Sequence, residues 1–182
     1  GTTGNDVLSA PSVVTTLVAG YQGNDTITLT LQSDEAYGAA GADSITLAGT
    51  STVSNKVVGG SGNDSIFVNT ATSSIGGSLG LNDGDDSFSN TSVQMVGATV
   101  GGNAGADTLV MQAGALNTEV GGGKNADSIN MAGTLTNMTI NGGGGADTLN
   151  FTNGTYTLST IQSGDGHDKI FLTGSTNATT II

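Results

Sequence analysis

The chain has no cysteine, which excludes disulfides, thiolate metal centres and cysteine nucleophiles. It has no arginine and only three lysines, Lys56, Lys124 and Lys169, against thirteen aspartates and two glutamates, and its formal net charge is −12. Nucleic acids and anionic membrane surfaces are gripped through Lys and Arg, so this balance disfavours both as partners. Divalent cations suit it. Tryptophan is absent, proline occurs once and aromatics make up 4% of the residues. No apolar run approaches the ~18 residues of a membrane helix, so membrane insertion is not expected. The sequence opens on Gly1-Thr2-Thr3, with no Met and no signal-peptide pattern, and reads as a processed product or a piece of a longer protein.

What the chain does have is glycine, 31 times in 182 residues, together with many Ser, Thr and Asn. Such a composition with few charges is that of a disordered segment unless its apolar residues are organised. Here they are. The string Gly-x-Asp-(Ser/Thr)-(Ile/Leu) recurs, as in Gly23-Asn24-Asp25-Thr26-Ile27, Gly62-Asn63-Asp64-Ser65-Ile66 and Gly145-Ala146-Asp147-Thr148-Leu149. Its aspartates are Asp6, Asp25, Asp43, Asp64, Asp86, Asp107, Asp127, Asp147 and Asp168, spaced 18 to 22 residues apart. Two residues after each Asp the position is always apolar, from Leu8 and Ile27 to Ile170. Four after, it is mostly apolar: Leu29, Leu47, Val68, Met111, Met131, Phe151, Leu172. Seven before stands another apolar column: Val18, Ala36, Val57, Leu79, Val100, Val120, Ile140, Ile161. Five before is Gly in most copies, with Leu81 and Ser163 as exceptions.

Each unit therefore reads as strand, turn, strand, glycine-rich turn, Asp. No single unit can bury its apolar face, but stacked units can, each column becoming a ladder of like residues. The expected fold is all-β: one domain over residues 1–182, a single parallel β-solenoid of about nine coils, with a glycine/Asp turn ladder along one edge. Helices are disfavoured by the glycine and β-branched content and by the lack of a 3.6-residue stripe. The Gly two residues before Asp is read as a positive-φ position. Asn125, its one replacement, is the residue that next best tolerates that conformation.

Coils stack at roughly 4.8 Å. Carboxylates in one column at that spacing repel their neighbours by about 1 kcal/mol in water and roughly 3–4 kcal/mol at a surface-like dielectric. Three lysines cannot neutralise nine carboxylates. One reading is that Asp caps its turn by accepting backbone N–H bonds. Asn would serve that purpose without repulsion, yet the column holds Asp every time in a chain rich in Asn. The other reading places cations between successive turns. Carboxylate and carbonyl oxygens are hard ligands, suited to Ca²⁺ rather than Zn²⁺ or copper. The nine aspartates are then the candidate metal ligands, and several Ca²⁺ ions along one edge are the expected cofactor.

The strings Gly59-Gly60-Ser61-Gly62-Asn63-Asp64-Ser65-Ile66 and Gly142-Gly143-Gly144-Gly145-Ala146-Asp147-Thr148-Leu149 resemble the RTX nonapeptide, G-G-x-G-x-D-x-U-x. That resemblance implies a parallel β-roll with Ca²⁺ shared between consecutive turns, in secreted bacterial toxins, proteases, adhesins or surface-layer proteins. Two departures stand out. One motif per ~20 residues replaces the usual two per coil, a pattern more similar to the long-coil calcium solenoids of some bacterial adhesins, including an ice-binding one. The second Gly is missing at Tyr21, Ala39, Asn82 and Asn103, where weaker or empty sites are expected.

Catalytic groupings are poor. His167 is the only His, with Ser159 and Ser163 near it in sequence, and it occupies the variable position before Asp. Asp34-Glu35 and Asp83, Asp85, Asp86 are the extra acidic clusters, and neither is organised as a glycosidase pair. An enzyme is not expected. Ice binding needs a column pair of Thr or Asn on every coil. The columns one and three after Asp begin as Thr26/Thr28 and Ser44/Thr46 but pass to Ser65/Phe67 and Lys169/Phe171. The expected role is an extracellular structural one: a calcium-stiffened rod in a bacterial surface layer, adhesin stalk or fibre. The alternative is a ligand-binding adhesin or ice-binding module. The expected partner is a further copy of the chain, joined head to tail, or flanking repeats of a longer protein. Ile181 falls in the apolar column seven before a tenth Asp, so Ile182 followed by Gly1 would continue the repeat in phase.

Overall fold

A computed structural model of the chain describes residues 1–10, 17–30, 35–48, 53–69, 75–91 and 93–182. Among them there is no helix, and the chain winds as a parallel β-solenoid of about seven turns. No helix long and apolar enough to cross a membrane occurs among the described residues. Asp34 of the acidic pair lies outside them.

Two stacks of strands carry the fold. One contains Leu17–Gln22, Glu35–Ala40, Val53–Ser61, Ile75–Asp83, Met95–Ala104, Glu119–Lys124, Thr139–Gly145, Thr160–Gly166 and Thr180–Ile181. The other runs from Val7–Ser9 through Thr26–Leu29 and Ser44–Leu47 to Lys169–Leu172. All pairings are parallel, and the register matches like columns: Ile27 with Ile45, Ile45 with Ile66, Ile66 with Phe88, Leu109 with Ile129. The column seven before Asp is equally in step, Val100 beside Val120 and Val120 beside Ile140.

The apolar columns face one another across a narrow interior. Ile27, Ile45, Ile66, Phe88, Leu109, Ile129 and Leu149 are wholly buried from one side, and Ala36, Val57, Leu79, Val120 and Ile140 from the other. Each fully buried aliphatic side chain contributes about 1.5–3 kcal/mol. Alternate residues such as Thr26, Ser44 and Ser65 are exposed, as strand periodicity requires. Buried Asn90 interrupts the aliphatic column four after Asp. Its amide donates to Val93 O at 2.8 Å and its carbonyl accepts from Val93 N, so it closes its own turn.

A third side appears that the two-strand reading of each coil lacked. Ala115–Leu116 pairs with the start of Met95–Ala104 on one flank and with Leu135 and Thr136 on the other. Tyr156 and Thr157 follow in the same stack, then Thr176 and Asn177. Its corner is turned by left-handed residues, Asn117, Asn137, Leu158 and Ala178, with φ between 50° and 52°. The interior of this side is filled by unlike residues, Met95, Ala115, Leu135 and Tyr156, and Tyr156 meets Phe151 edge-on at 5.7 Å.

Candidate functional site: a buried row of aspartates

The turn between the two main stacks brings the repeat aspartates together. From Gly23 to Gly166 the residue two before Asp has positive φ in every coil, including Asn125 at 75°. That conformation reverses the backbone so that the Asp side chain points inward rather than to solvent. The residue four before Asp is left-handed as well, even where it is not Gly: Tyr21 at 82°, Ala39 at 84°, Asn82 at 82° and Asn103 at 80°. The missing second glycines therefore change the strain of the turn and not its path.

Asp25, Asp43, Asp64, Asp86, Asp107, Asp127 and Asp147 are 1–3% exposed. Each accepts, through Oδ1, the backbone N–H of the equivalent Asp one coil earlier. Asp6 N donates to Asp25 at 2.7 Å, Asp25 N to Asp43 at 2.8 Å and Asp43 N to Asp64 at 2.8 Å. The row continues through Asp64 N to Asp86, Asp86 N to Asp107 and Asp107 N to Asp127. Asp127 N to Asp147 and Asp147 N to Asp168 complete it. The structure thus joins all nine predicted residues in one hydrogen-bonded row. Each of these bonds reaches across coils rather than closing a turn within one.

The other oxygen has no such role. Oδ2 of all seven buried aspartates has no hydrogen-bond partner. In six of the seven it lies against the glycine five residues earlier; before Asp86 that position is Leu81. A Cβ placed on Gly59 would sit 2.5 Å from Asp64 Oδ2 and 2.7 Å from the carbonyl oxygen of Leu81 in the following coil. A Cβ on Gly142 would sit 2.6 Å from Asp147 Oδ2 and against the Ser163 carbonyl. Gly20, Gly38, Gly102 and Gly122 repeat the arrangement, each between an Asp Oδ2 and the carbonyl of the next coil. None of these glycines has positive φ, so they are needed for close approach and not for conformation. The sequence shows this column, but its purpose depends on where Oδ2 points.

Burying an ionised carboxylate with one oxygen unpartnered is costly, and the electrostatics reflect it. Burial pushes the Asp64 and Asp127 carboxyls up to about 7 and Asp107 up to about 6, against an ordinary 3.8. The N–H bond to Oδ1 works against that rise, and neighbouring carboxylates add to it. Asp43, Asp86 and Asp147 are raised for the same first reason, loss of water.

The donor set at each rung is one carboxylate oxygen and backbone carbonyls, all hard oxygen. It fits Ca²⁺ by chemistry and offers nothing to a soft metal. No three His, Asp or Glu side chains converge among the described residues. An ion would therefore draw most of its ligands from carbonyls and water.

The other candidates are dispersed. His167 is exposed. Ser159 is buried, its hydroxyl donating to Thr157 O and accepting from Met138 N, while Ser163 N donates to Ile182 O. None of these bonds involves His167. Asp83 and Asp85 are exposed, and Asp85 Oδ1 accepts the N–H of Ala106. No family model, no curated protein and no solved structure matches the chain.

Proposed function

We propose that this chain is a secreted bacterial structural element without catalytic activity. In this reading it is a β-solenoid rod of nine coils whose turn ladder of aspartates, along one edge, is stiffened by Ca²⁺. Asp25, Asp43, Asp64, Asp86, Asp107, Asp127 and Asp147 hold the ions through Oδ2, with carbonyls of the glycine column beside them, and Asp6 and Asp168 close the ladder. The rod serves in a surface layer, an adhesin stalk or an extracellular fibre, continued by further repeats or further copies.

The observation that carries this is the set of seven buried Oδ2 atoms without partners. Oδ1 alone satisfies the N–H groups, so capping does not account for a second, charged oxygen in every coil. A cation bound there stabilises the fold by its own binding free energy, because the unfolded chain offers no such row. The test is circular dichroism with thermal melting in millimolar Ca²⁺ and in EGTA. The expected result is a β-rich, heat-resistant fold in calcium and a largely disordered or much less stable chain in chelator. Spectra and melting unchanged by EGTA would remove calcium from the account.

A recognition surface is the second reading, favoured by one feature. Thr26, Ser44, Ser65, Ser87, Thr108, Ser128 and Thr148 stand in register on an outer face. The neighbouring outward column is broken by Phe67 and Val110, which leaves a single file of hydroxyls rather than a two-dimensional array. Inhibition of ice recrystallisation by the folded protein would favour this reading over the rod.

A further inference from the structure

The tightest place in the repeat turn is the position five before Asp. A Cβ on Gly20, Gly38 or Gly102 would fall against Oδ2 of Asp25, Asp43 or Asp107 and against the carbonyl of the next coil. On Gly122 it would sit 2.5 Å from Asp127 Oδ2. No side chain fits at these places unless the carboxylate or the backbone moves.

One coil departs from this. Leu81 stands five before Asp86, and its side chain is wholly buried. Its backbone keeps the ordinary place. The Leu81 carbonyl faces Gly59 beside Asp64 Oδ2, as the Gly38 carbonyl faces Gly20 and the Gly122 carbonyl faces Gly102. Leu79 and Leu81 are both buried while Gly80 and Asn82 between and after them are not, so strand alternation turns the Leu81 side chain inward. Leu81 thus completes the Asp64 rung with its carbonyl and fills, with its isobutyl group, the space that glycine leaves open at the other rungs.

Asp86 differs accordingly. Its Oδ1 lies 3.2 Å from where a Cβ on Gly84 would stand. At Gly23, Gly41, Gly62, Gly105 and Gly145 the nearest atoms all belong to the preceding coil, so only Asp86 leans on its own turn. The Asp64 N–H meets Asp86 Oδ1 at 2.6 Å, against 2.8 and 2.9 Å at the rungs on either side. Asp86 Oδ2 stays buried and without a hydrogen-bond partner. The second glycine of the turn makes no such distinction. It is replaced before Asp25, Asp43 and Asp107 as well as before Asp86, by Tyr21, Ala39, Asn103 and Asn82, and all four residues keep the left-handed path.

From this we infer that Leu81 sets the order in which the row takes up cations. Ca²⁺ needs about 6–8 oxygen ligands, and each rung offers one carboxylate oxygen with carbonyls and water. An isobutyl group beside Oδ2 supplies no ligand and takes the room of those that would. The Asp86 rung therefore binds its ion most loosely and loses it first. The row then works as two banks, Asp25, Asp43 and Asp64 on one side and Asp107, Asp127 and Asp147 on the other. This rests on the calcium reading and ranks the rungs within it.

Each Asp N–H reports the carboxylate of the next coil, so amide NMR separates the rungs. The chain is held at the lowest Ca²⁺ concentration that keeps its circular dichroism spectrum unchanged, and Ca²⁺ is exchanged for Sr²⁺. The Asp43 and Asp86 amides, which face the Asp64 and Asp107 carboxylates, should shift. The Asp64 amide, which faces Asp86, should stay nearly still. In the same buffer, ions retained after gel filtration are counted. Leu81→Gly should retain one ion more per chain than the parent. Leu81→Ala loses nearly as much packing but keeps a Cβ, and should retain the parent's number. If Leu81→Gly does not fold, the amide shifts of the unaltered chain decide alone. An Asp64 amide that moves with its neighbours, or equal retention by all three proteins, overturns the role of Leu81 and leaves calcium in place. Weak binding shared by the Asp25, Asp43, Asp86 and Asp107 rungs overturns it in favour of the second glycine. No retained ion and no amide shift removes calcium itself and the ranking with it.

Discussion

Two neighbouring columns of the same turn use one device for different ends. The residue before each repeat Asp is exposed, and where it is Asn or Asp its side chain staples coil to coil. Asn24 N donates to Asn5 Oδ1, Ala42 N to Asn24 Oδ1, Asp85 N to Asn63 Oδ1 and Ala106 N to Asp85 Oδ1. These bonds point from the later coil back to the earlier, opposite to the inner row. The outer column passes freely among Asn, Asp, Ala and His, as Asn5, Asp85, Ala106 and His167 show. The inner column is Asp throughout and buried from Asp25 to Asp147. An amide thus suffices to staple coils, and what the inner column adds is a charge held away from water. What sets the inner column apart is Oδ2, buried and without a hydrogen-bond partner, and not the hydrogen-bond row.

The largest expected effect comes from deleting an inner carboxylate. Asp107→Ala leaves the Asp86 N–H buried without an acceptor and, in the proposed calcium role, removes an ion ligand. A loss of about 2–3 kcal/mol, or roughly 5–10 °C in melting temperature in calcium, is expected. The loss should be smaller in chelator, where the charge also opposes folding. Thermal melting of the variant in both buffers checks this, and equal losses in the two would separate Oδ2 from calcium.

Next comes the glycine column. Gly122→Ala puts a methyl group 2.5 Å from Asp127 Oδ2 and against the Gly142 carbonyl. It should cost about 1–3 kcal/mol by overpacking and lower calcium affinity as well. Chemical denaturation with a parallel calcium titration reads both.

The third effect is of pH. In chelator, Asp64, Asp107 and Asp127 bind protons more tightly folded, at about 7, 6 and 7, than at the ordinary 3.8. The native state then holds more protons than the unfolded chain between those values, so stability falls as pH rises through that window. The metal-free protein should be more stable near pH 5 than near pH 8. Ca²⁺ should reverse the order, because it needs the ionised carboxylate. Melting curves across pH, with and without calcium, should show the two trends crossing.

The smallest effects belong to the outer column. Asn24→Ala removes one exposed staple to Ala42 and should cost no more than about 1 kcal/mol. His167→Ala should change nothing measurable. A larger loss at either position than at Asp107 would invert the roles drawn here.

Much of this molecule could be read from spacing alone. The columns at fixed offsets from Asp are the strands that stack in register, Ile27 on Ile45 and Val100 on Val120. The positive φ at Asn125 is the conformation its substitution for Gly implied. The third side was not legible. Its inward residues, Met95, Ala115, Leu135 and Tyr156, share neither size nor a constant offset from Asp, and register shifts precede or divide its strands. A space bounded by irregular connections accepts whatever volume fits. The asparagines at Asn117 and Asn137 were the available turn signal there. Nor could sequence tell which way the Asp side chain points. Gly20 and Gly23 look alike in one dimension, yet only Gly23 has positive φ, while Gly20 makes room for Asp25 Oδ2.

The most direct measurement is the melting of Asp107→Asn beside the unaltered chain, each in calcium and in EGTA. Asn keeps the oxygen that accepts from Asp86 N–H, removes the buried charge, and turns an amide N–H₂ toward the carbonyl of Gly122. If Oδ2 exists to bind a cation, the variant melts below the parent in calcium and above it in EGTA. A variant that melts higher than the parent in both buffers would contradict the account.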